Sequence, residues 1–295
     1  MAFSSSWRIG VDLGGTKTEI AALRPDGGLA LRRRVPTPAS YPAIVATIAE
    51  LVRAAESELG ISASVGVGIP GTISPATGLV KNANSQCLIG HALDQDLAAA
   101  LAREVRIEND ANCFALSEAV DGAGAGHRVV FGVILGTGCG GGIVVERRIV
   151  EGRNRIAGEW GHTPLPWPTP AEQPPRPCWC GRAGCLETYL AGPALAGELR
   201  PGARDVTALL GLPEAPATLA RHLDRVARGL TVVANILDPD IIVLGGGLSN
   251  LPGLAERLPA AMAAYAFTDR LETEVAVAQH GDSGGVRGAA WLWPA

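Results

Sequence analysis

The chain has 295 residues, enough for more than one hydrophobic core, with 47 % apolar residues and a formal charge of −4. No run of about 18 apolar residues could cross a bilayer, and the opening MAFSSSWRIG lacks the charged-then-apolar plan of a signal peptide. With no long basic run to contact nucleic acid, the expectation is a cytoplasmic protein without membrane or nucleic-acid partners.

In chain order, WRIGVDL and EIAAL read as strands around a glycine turn, and PDGG at 25–28 marks a second turn. Arg32, Arg33 and Arg34 read as a solvated strand edge or turn. The stripe Ile44, Ile48, Leu51, Val52, Ala55 and Leu59 predicts a helix over about 41–59. SVGVGIPG reads as a buried strand, LDQDLAAALARE as a helix, VRIEND as a strand and ANCFALSEAV as a helix opening straight after it. DGAGAGH at 121–127 is a joint, beyond which strand, glycine turn and strand recur as VVFGVIL, GTGCGGG and IVVERRIV. The echo reads as a duplicated β-hairpin. A proline-rich stretch at 163–187 holds three of the six cysteines. Helices then fill most of 190–237, followed by the strand DIIVLGGG, a helix at 251–265, the strand TEVAVAQ and a closing helix. Alternating strands and helices predict an α/β fold.

Glycine-rich turns after strands let backbone N–H groups close on phosphate oxygens. Three such turns occur, at 14–18, 136–142 and 245–247. GGTKT is not a P-loop, because Thr16 rather than glycine precedes Lys17. GTGCGG matches G-x-G-x-x-G through Gly136, Gly138 and Gly141, but a β-branched run follows where a dinucleotide loop would open a helix. Each turn alone could be no more than a tight turn; a triphosphate between two domains would account for all three. Asp12, inside an apolar strand, is either a ligand of the Mg²⁺ that accompanies a nucleotide or a carboxylate satisfied by the turn's own N–H groups. Asp110, where a strand gives way to a helix, is either a base for a sugar hydroxyl or a helix N-cap.

His162, Cys178, Cys180 and Cys185 make a His-Cys₃ set that fills a tetrahedral Zn²⁺ shell and leaves no place for water, the mark of a structural site. Clustered thiols in a reducing compartment hold metal or do redox chemistry, and no C-x-x-C pair is present here. Buried free thiols are the remaining alternative. Glu159 and Glu187 flank the cluster, so the metal would stiffen two carboxylates able to accept sugar hydroxyls. Cys87, Cys113 and Cys139 fit no ligand pattern; Cys113 lies near Asp110 and Cys139 in a phosphate turn, so alkylation could inactivate without either being catalytic.

Taken together, GVDLGGTKTEI, GIPG, ENDAN, LGTGCGGG, GEWGH, CWCGRAGCLE and VLGGGLSN resemble, in order and over nearly the whole chain, the ROK family of bacterial sugar kinases and repressors. The resemblance implies two actin-like, ribonuclease-H-like α/β domains with ATP in the cleft between them. The corresponding division is 1–120 for a smaller N-terminal domain, with a C-terminal helix of about 282–295 returning to it, and 121–281 for a larger domain carrying the zinc loop. It further implies Asp110 as base; Asn84, Asn109, Glu159, His162 and Glu187 around the sugar; and Gly14, Gly15, Thr16, Lys17, Gly136, Thr137 and Gly138 at the phosphates. Gly245 and Gly246 would flank the adenosine, Asp12 would serve the Mg²⁺, and His162 would have one ring nitrogen on zinc and the other towards a hydroxyl. The first hairpin starts at residue 8, which leaves no room for the helix-turn-helix of about 70 residues that the repressors carry, so the implied activity is ATP-dependent hexose phosphorylation, in a homodimer. A sugar-sensing regulator with an inactive core is the reading from another class. Phrase matches favour fructose, with mannose as a side activity, over N-acetylglucosamine or glucose, and a bulky Trp160 is expected to crowd an N-acetyl arm.

Overall fold

In the computed structural model, which describes residues 6–83 and 85–293, the hairpin echo widens into two whole sheets. The first contains β1 (Trp7–Leu13), β2 (Lys17–Leu23), β3 (Leu29–Pro36), then α1 (Tyr41–Leu59) and β4 (Ala63–Ile69). A small ribbon, β5 (Thr72–Ile73) and β6 (Val80–Lys81), precedes α2 (Leu93–Leu101), β7 (Val105–Asn109) and α3 (Asp110–Asp121). The second sheet follows with β8 (Val129–Leu135), β9 (Cys139–Val145) and β10 (Arg148–Ile149). After the cysteine loop come α4 (Glu187–Leu190), α5 (Gly192–Leu199), α6 (Ala215–Leu237), β11 (Ile241–Gly245), α7 (Leu254–Ala263), β12 (Glu274–Val277) and α8 (Gly284–Trp291).

The sheet orders are β3-β2-β1-β4-β7 and β10-β9-β8-β11-β12. Each is an antiparallel meander of three strands extended by two parallel ones. The two orders match position for position, so the repeat covers the sheets and not only their hairpins. Residues 150–214, between β10 and α6, stand where only 37–40 separate β3 from α1. The cysteine loop is thus an elaboration of one half.

Side chains alternate along the strands, as the period of two requires. Ile9, Val11, Val65 and Val67 face α1 and α2 in one core; Phe131, Val133, Leu135, Ile242 and Leu244 face α6 and α7 in another. On the opposite faces both sheets carry glycine, and a helix backbone lies against it. A Cβ at Gly10 or Gly66 would overlap backbone oxygens of α8, and one at Gly142 would lie 2.7 Å from the Ala111 oxygen of α3. Glycine inside a strand marks such close approach. The helices are exchanged: α3 leaves the first sheet and lies on the second, while α8 leaves the second and lies on the first. The two pack on each other where Gly288 meets the Cys113 backbone.

The arginine run lies on β3, the first sheet's edge. Arg32 and Arg34 both pair with Glu19, which stands opposite Asp12 in the β1–β2 register. Two acids facing each other across strands repel, and the arginines offset this. No helix among the described residues is long and apolar enough to cross a membrane.

Candidate functional site

The candidate base sits where β7 runs directly into α3. Asn109, not Asp110, is the N-cap: its Oδ1 accepts the Ala111 N–H at 2.9 Å and the Asn112 N–H at 3.4 Å, and its Nδ2 donates to the Gly71 oxygen. Capping therefore falls to the neighbour, and Asp110 occupies the first helical position, its Oδ1 receiving the Ala111 N–H at 2.8 Å. Burial pushes the Asp110 carboxyl up to about 6; the Ala111 N–H works against this and the Glu159 charge adds to it. Asp12 rises to about 7, chiefly by burial and then through Asp110 and Glu19, with Arg34 opposing. Asp12, Asp110 and Glu159 are therefore electrostatic neighbours. Glu159 in turn is raised by burial, lowered by His162 and raised by Glu187, so four of the acids expected around ATP and sugar meet in one field. Two desolvated carboxylates side by side favour a bound cation, and Asp12 and Asp110 fit a hard divalent ion such as Mg²⁺.

The two hairpin glycine turns differ. In the first, Gly14 donates its N–H to Lys17 and the chain is braced by Thr37, whose hydroxyl reaches the Gly14 oxygen at 2.8 Å; Gly15, Thr16 and Lys17 are exposed. In the second, the Gly136 N–H reaches the Gly138 oxygen, and its own oxygen accepts the Gly192 N–H at 2.7 Å. Thr137 is exposed and Gly138 and Gly140 are half-buried, whereas Gly141 and Gly142 are buried. Gly141 lies under Trp160, so the G-x-G-x-x-G match ends in packing and its third glycine faces no ligand. Gly245 corrects another expectation: it is buried against the Phe114 ring, where a Cβ would lie 2.5 Å from Cζ, while Gly246 and Gly247 are exposed at the strand end.

Trp160 is buried too. Its Nε1 donates to the Gly140 oxygen at 2.9 Å and its ring meets Phe131 edge-on. It fixes the 158–162 loop to β9 instead of lining the cleft, which removes the expected clash with an N-acetyl arm. Asn84 lies outside the described residues.

His162, Cys178, Cys180 and Cys185 converge, with all four donor atoms within 4.8 Å of one another. The Cys180 and Cys185 sulfurs are 3.7 Å apart and Cys178 Sγ is 3.7 Å from His162 Nδ1. Tetrahedral thiolates at ~2.3 Å from Zn²⁺ would place their sulfurs ~3.8 Å apart, so the set fits that ion. Since Nδ1 faces the sulfurs, Nε2 is left at the far side of the ring for another partner. The loop has a second anchor that the sequence reading missed. Glu172 is buried and bonded to Arg225 and Arg228 of α6, while Glu198 holds Arg176 and Arg225. Burial opposes the Glu172 charge, yet hydrogen bonds from Arg228 and Arg225 draw its pKa down to about 2. The available signal was two arginines three apart, in register with the apolar stripe of the helix.

Glu187 joins loop and turn: Oε2 accepts the Cys139 N–H at 3.0 Å and Oε1 accepts Trp179 Nε1 at 2.6 Å. Cys113 and Cys139 are buried and their thiols pushed well up by that burial. Burial thus disfavours the thiolate that alkylation needs at both positions, which argues against inactivation through either.

The ROK family model matches residues 8–295. An N-acetyl-D-glucosamine kinase of Salmonella heidelberg (strain SL476) is 42 % identical over 300 residues, covering 96 % of this chain and 98 % of that one. Among solved structures, the ROK hexokinase from Thermus thermophilus aligns with a TM-score of 0.84 at 32 % identity, covering 96 % of each chain. A ROK glucokinase from Streptomyces griseus, in complex with glucose and AMPPNP, aligns with a TM-score of 0.78 at 28 % identity over 97 % of this chain and 98 % of that one. With its sheets, its acids and its cysteine loop in the places described, the chain belongs to the ROK family.

Proposed function

We propose that this protein is an ATP-dependent hexose kinase and that its preferred acceptor is N-acetyl-D-glucosamine. The observation that carries the kinase reading is Asp110: a carboxylate at the start of α3, released from capping by Asn109, and poised at about 6 beside Asp12 and Glu159. Phosphoryl transfer needs positioning, charge neutralisation and a group to take the hydroxyl proton. Asp110 takes that proton. Asn109, Glu159, His162 and Glu187, with Asn84, hold the sugar. Asp12 serves the Mg²⁺, and Gly14, Gly15, Thr16, Lys17, Gly136, Thr137 and Gly138 surround the phosphates. Gly246 borders the adenosine, with Gly245 behind it as packing. Mg²⁺ bound to ATP supplies neutralisation of the phosphate charge; structural Zn²⁺ on His162, Cys178, Cys180 and Cys185 stiffens the sugar loop. The lobes of this reading are 1–120, with the helix of about 282–295, and 121–281; they exchange α3 and α8 and would close about 121–129 and 277–284. A homodimer belongs to the same reading.

N-acetyl-D-glucosamine replaces the fructose expected from phrase matches for two reasons. The 42 % identical relative carries that activity in its name, and Trp160, the residue expected to exclude an N-acetyl arm, points into the core. Measuring ADP release over N-acetylglucosamine, fructose, mannose, glucose and N-acetylmannosamine tests both levels. The highest kcat/KM is expected on N-acetylglucosamine. A higher value on fructose would restore the earlier choice, and no ADP release with any sugar would refute the kinase.

A further inference from the structure

Trp179 stands between two of the candidate metal ligands, Cys178 and Cys180, and is 66 % exposed. A tryptophan that stabilises a fold buries most of its ring; this one leaves two thirds of its surface in solvent. Its definite contacts are two. Its Nε1 donates to Glu187 Oε1 at 2.6 Å, and its ring stands edge-to-face on His162, with centroids 5.0 Å apart at 82°. Both partners belong to the group assigned above to the sugar.

The other Glu187 oxygen is fixed independently by the Cys139 N–H at 3.0 Å. Gly138, the residue before, leaves space for it, since a Cβ there would lie 2.8 Å from Oε2. The carboxylate is therefore gripped from both sides, by the cysteine loop through an indole and by the second glycine turn through its backbone. A carboxylate accepts about four hydrogen bonds, so both oxygens keep lone pairs for hydroxyl donors. What the two N–H groups remove is rotation. A glutamate side chain otherwise has much rotameric freedom to lose on binding.

We propose that Trp179 is a positioning residue: its indole N–H holds the Glu187 carboxylate in the orientation that accepts a sugar hydroxyl, and links the cysteine loop to the second glycine turn. The inference rests on the hexose-kinase reading and adds to it a residue that does not bind phosphate or metal. It places the contribution in sugar affinity, before the chemical step, because Glu187 does not take the transferred proton.

The test uses the full-length, metal-loaded protein and two variants. Trp179→Phe keeps a ring against His162 and removes the donor; Trp179→Ala removes both. With the phenylalanine variant, the KM for the preferred hexose is expected to rise about tenfold, the scale of one charge-assisted hydrogen bond. The kcat stays within about twofold, KM for ATP is unchanged because the Cys139 bond remains, and bound zinc and melting temperature match wild type. Trp179→Ala raises the hexose KM at least as far. An unchanged hexose KM in Trp179→Phe would overturn the inference. So would loss of zinc with a parallel fall in kcat, which would make Trp179 a structural part of the loop. Wild-type protein that phosphorylates no hexose would fail the kinase reading itself, and this inference with it.

Discussion

At the first glycine turn Gly15, Thr16 and Lys17 stand in solvent, and the nearest atom to a Cβ on Gly15 would be Ser85 Oγ at 3.6 Å. At the second, the hairpin has the same strands in the same order, but Gly138 faces Glu187, Gly141 lies under Trp160 and Gly142 under α3. The near-copies share a backbone plan and differ in what covers it. The 150–214 insertion of the second half, which also carries the cysteine loop, covers Gly138 and Gly141 through the Glu187 carboxylate and the 158–162 loop, while α3 covers Gly142. One half thus leaves its turn bare; the other ties its turn to the cysteine loop through Glu187. The repeated sheet plan provides the scaffold, and the insertion makes its two halves unequal.

The largest expected effect lies where the halves meet. Asp110→Asn should lower kcat by about a thousandfold, within the usual range for losing a general base, while hexose binding measured by calorimetry persists. Turnover near wild type would remove Asp110 from its role. Next comes the loop's metal-independent anchor. Glu172→Gln leaves Arg225 and Arg228 short of a buried partner and should cost about 3 kcal/mol in denaturant unfolding. If stability is unchanged, the metal alone holds the loop.

The turns can be set against each other directly. Gly142→Ala forces a methyl against the Ala111 oxygen and should cost about 2 kcal/mol, whereas Gly15→Ala should leave denaturant stability untouched. Equal losses would contradict the difference in cover. A smaller effect is a pH dependence of the shared carboxylates. The base works ionised, so kcat/KM should fall as pH drops below about 6. Stability runs the other way. A carboxyl raised in the fold contributes stability at low pH that is lost as pH rises through about 6. Asp110→Asn should therefore melt higher than metal-free wild type at pH 8, with the advantage shrinking by pH 5; an advantage that grows on acidification would reverse the assigned shift. Least of all, iodoacetamide at neutral pH should leave Cys113 and Cys139 unmodified in the folded protein, as peptide mapping would detect.

Much of the fold was legible in the sequence, because its signals are local. The stripe at 44, 48, 52 and 55 sets α1, which Gly60 ends in the left-handed conformation at φ 65°. The period-two runs give the strands. The spacing of His162, Cys178, Cys180 and Cys185 announced a cluster able to hold a metal, and the fold brings the four donors together. ENDAN marked the strand-to-helix junction but left capping and chemistry undivided; the structure assigns the cap to Asn109 and leaves Asp110 its carboxylate.

What the chain determined by itself was which residues are chemically able: the acids, the thiols, the exposed glycine turns and the alternating strands. Tertiary structure decided which of these face a cleft. Gly141, Gly245 and Trp160 look, in sequence, like ligand contacts, yet Gly141 is covered by Trp160, Gly245 by Phe114, and Trp160 itself is held against β9. Glu187 gained Trp179 and Cys139 as partners, and Glu172 gained two arginines more than fifty residues away. The reason is physical. Residue type and spacing set what a side chain can do and which way it points from its own element, but burial and hydrogen-bond partners come from segments far apart in the chain, and only their packing brings those together.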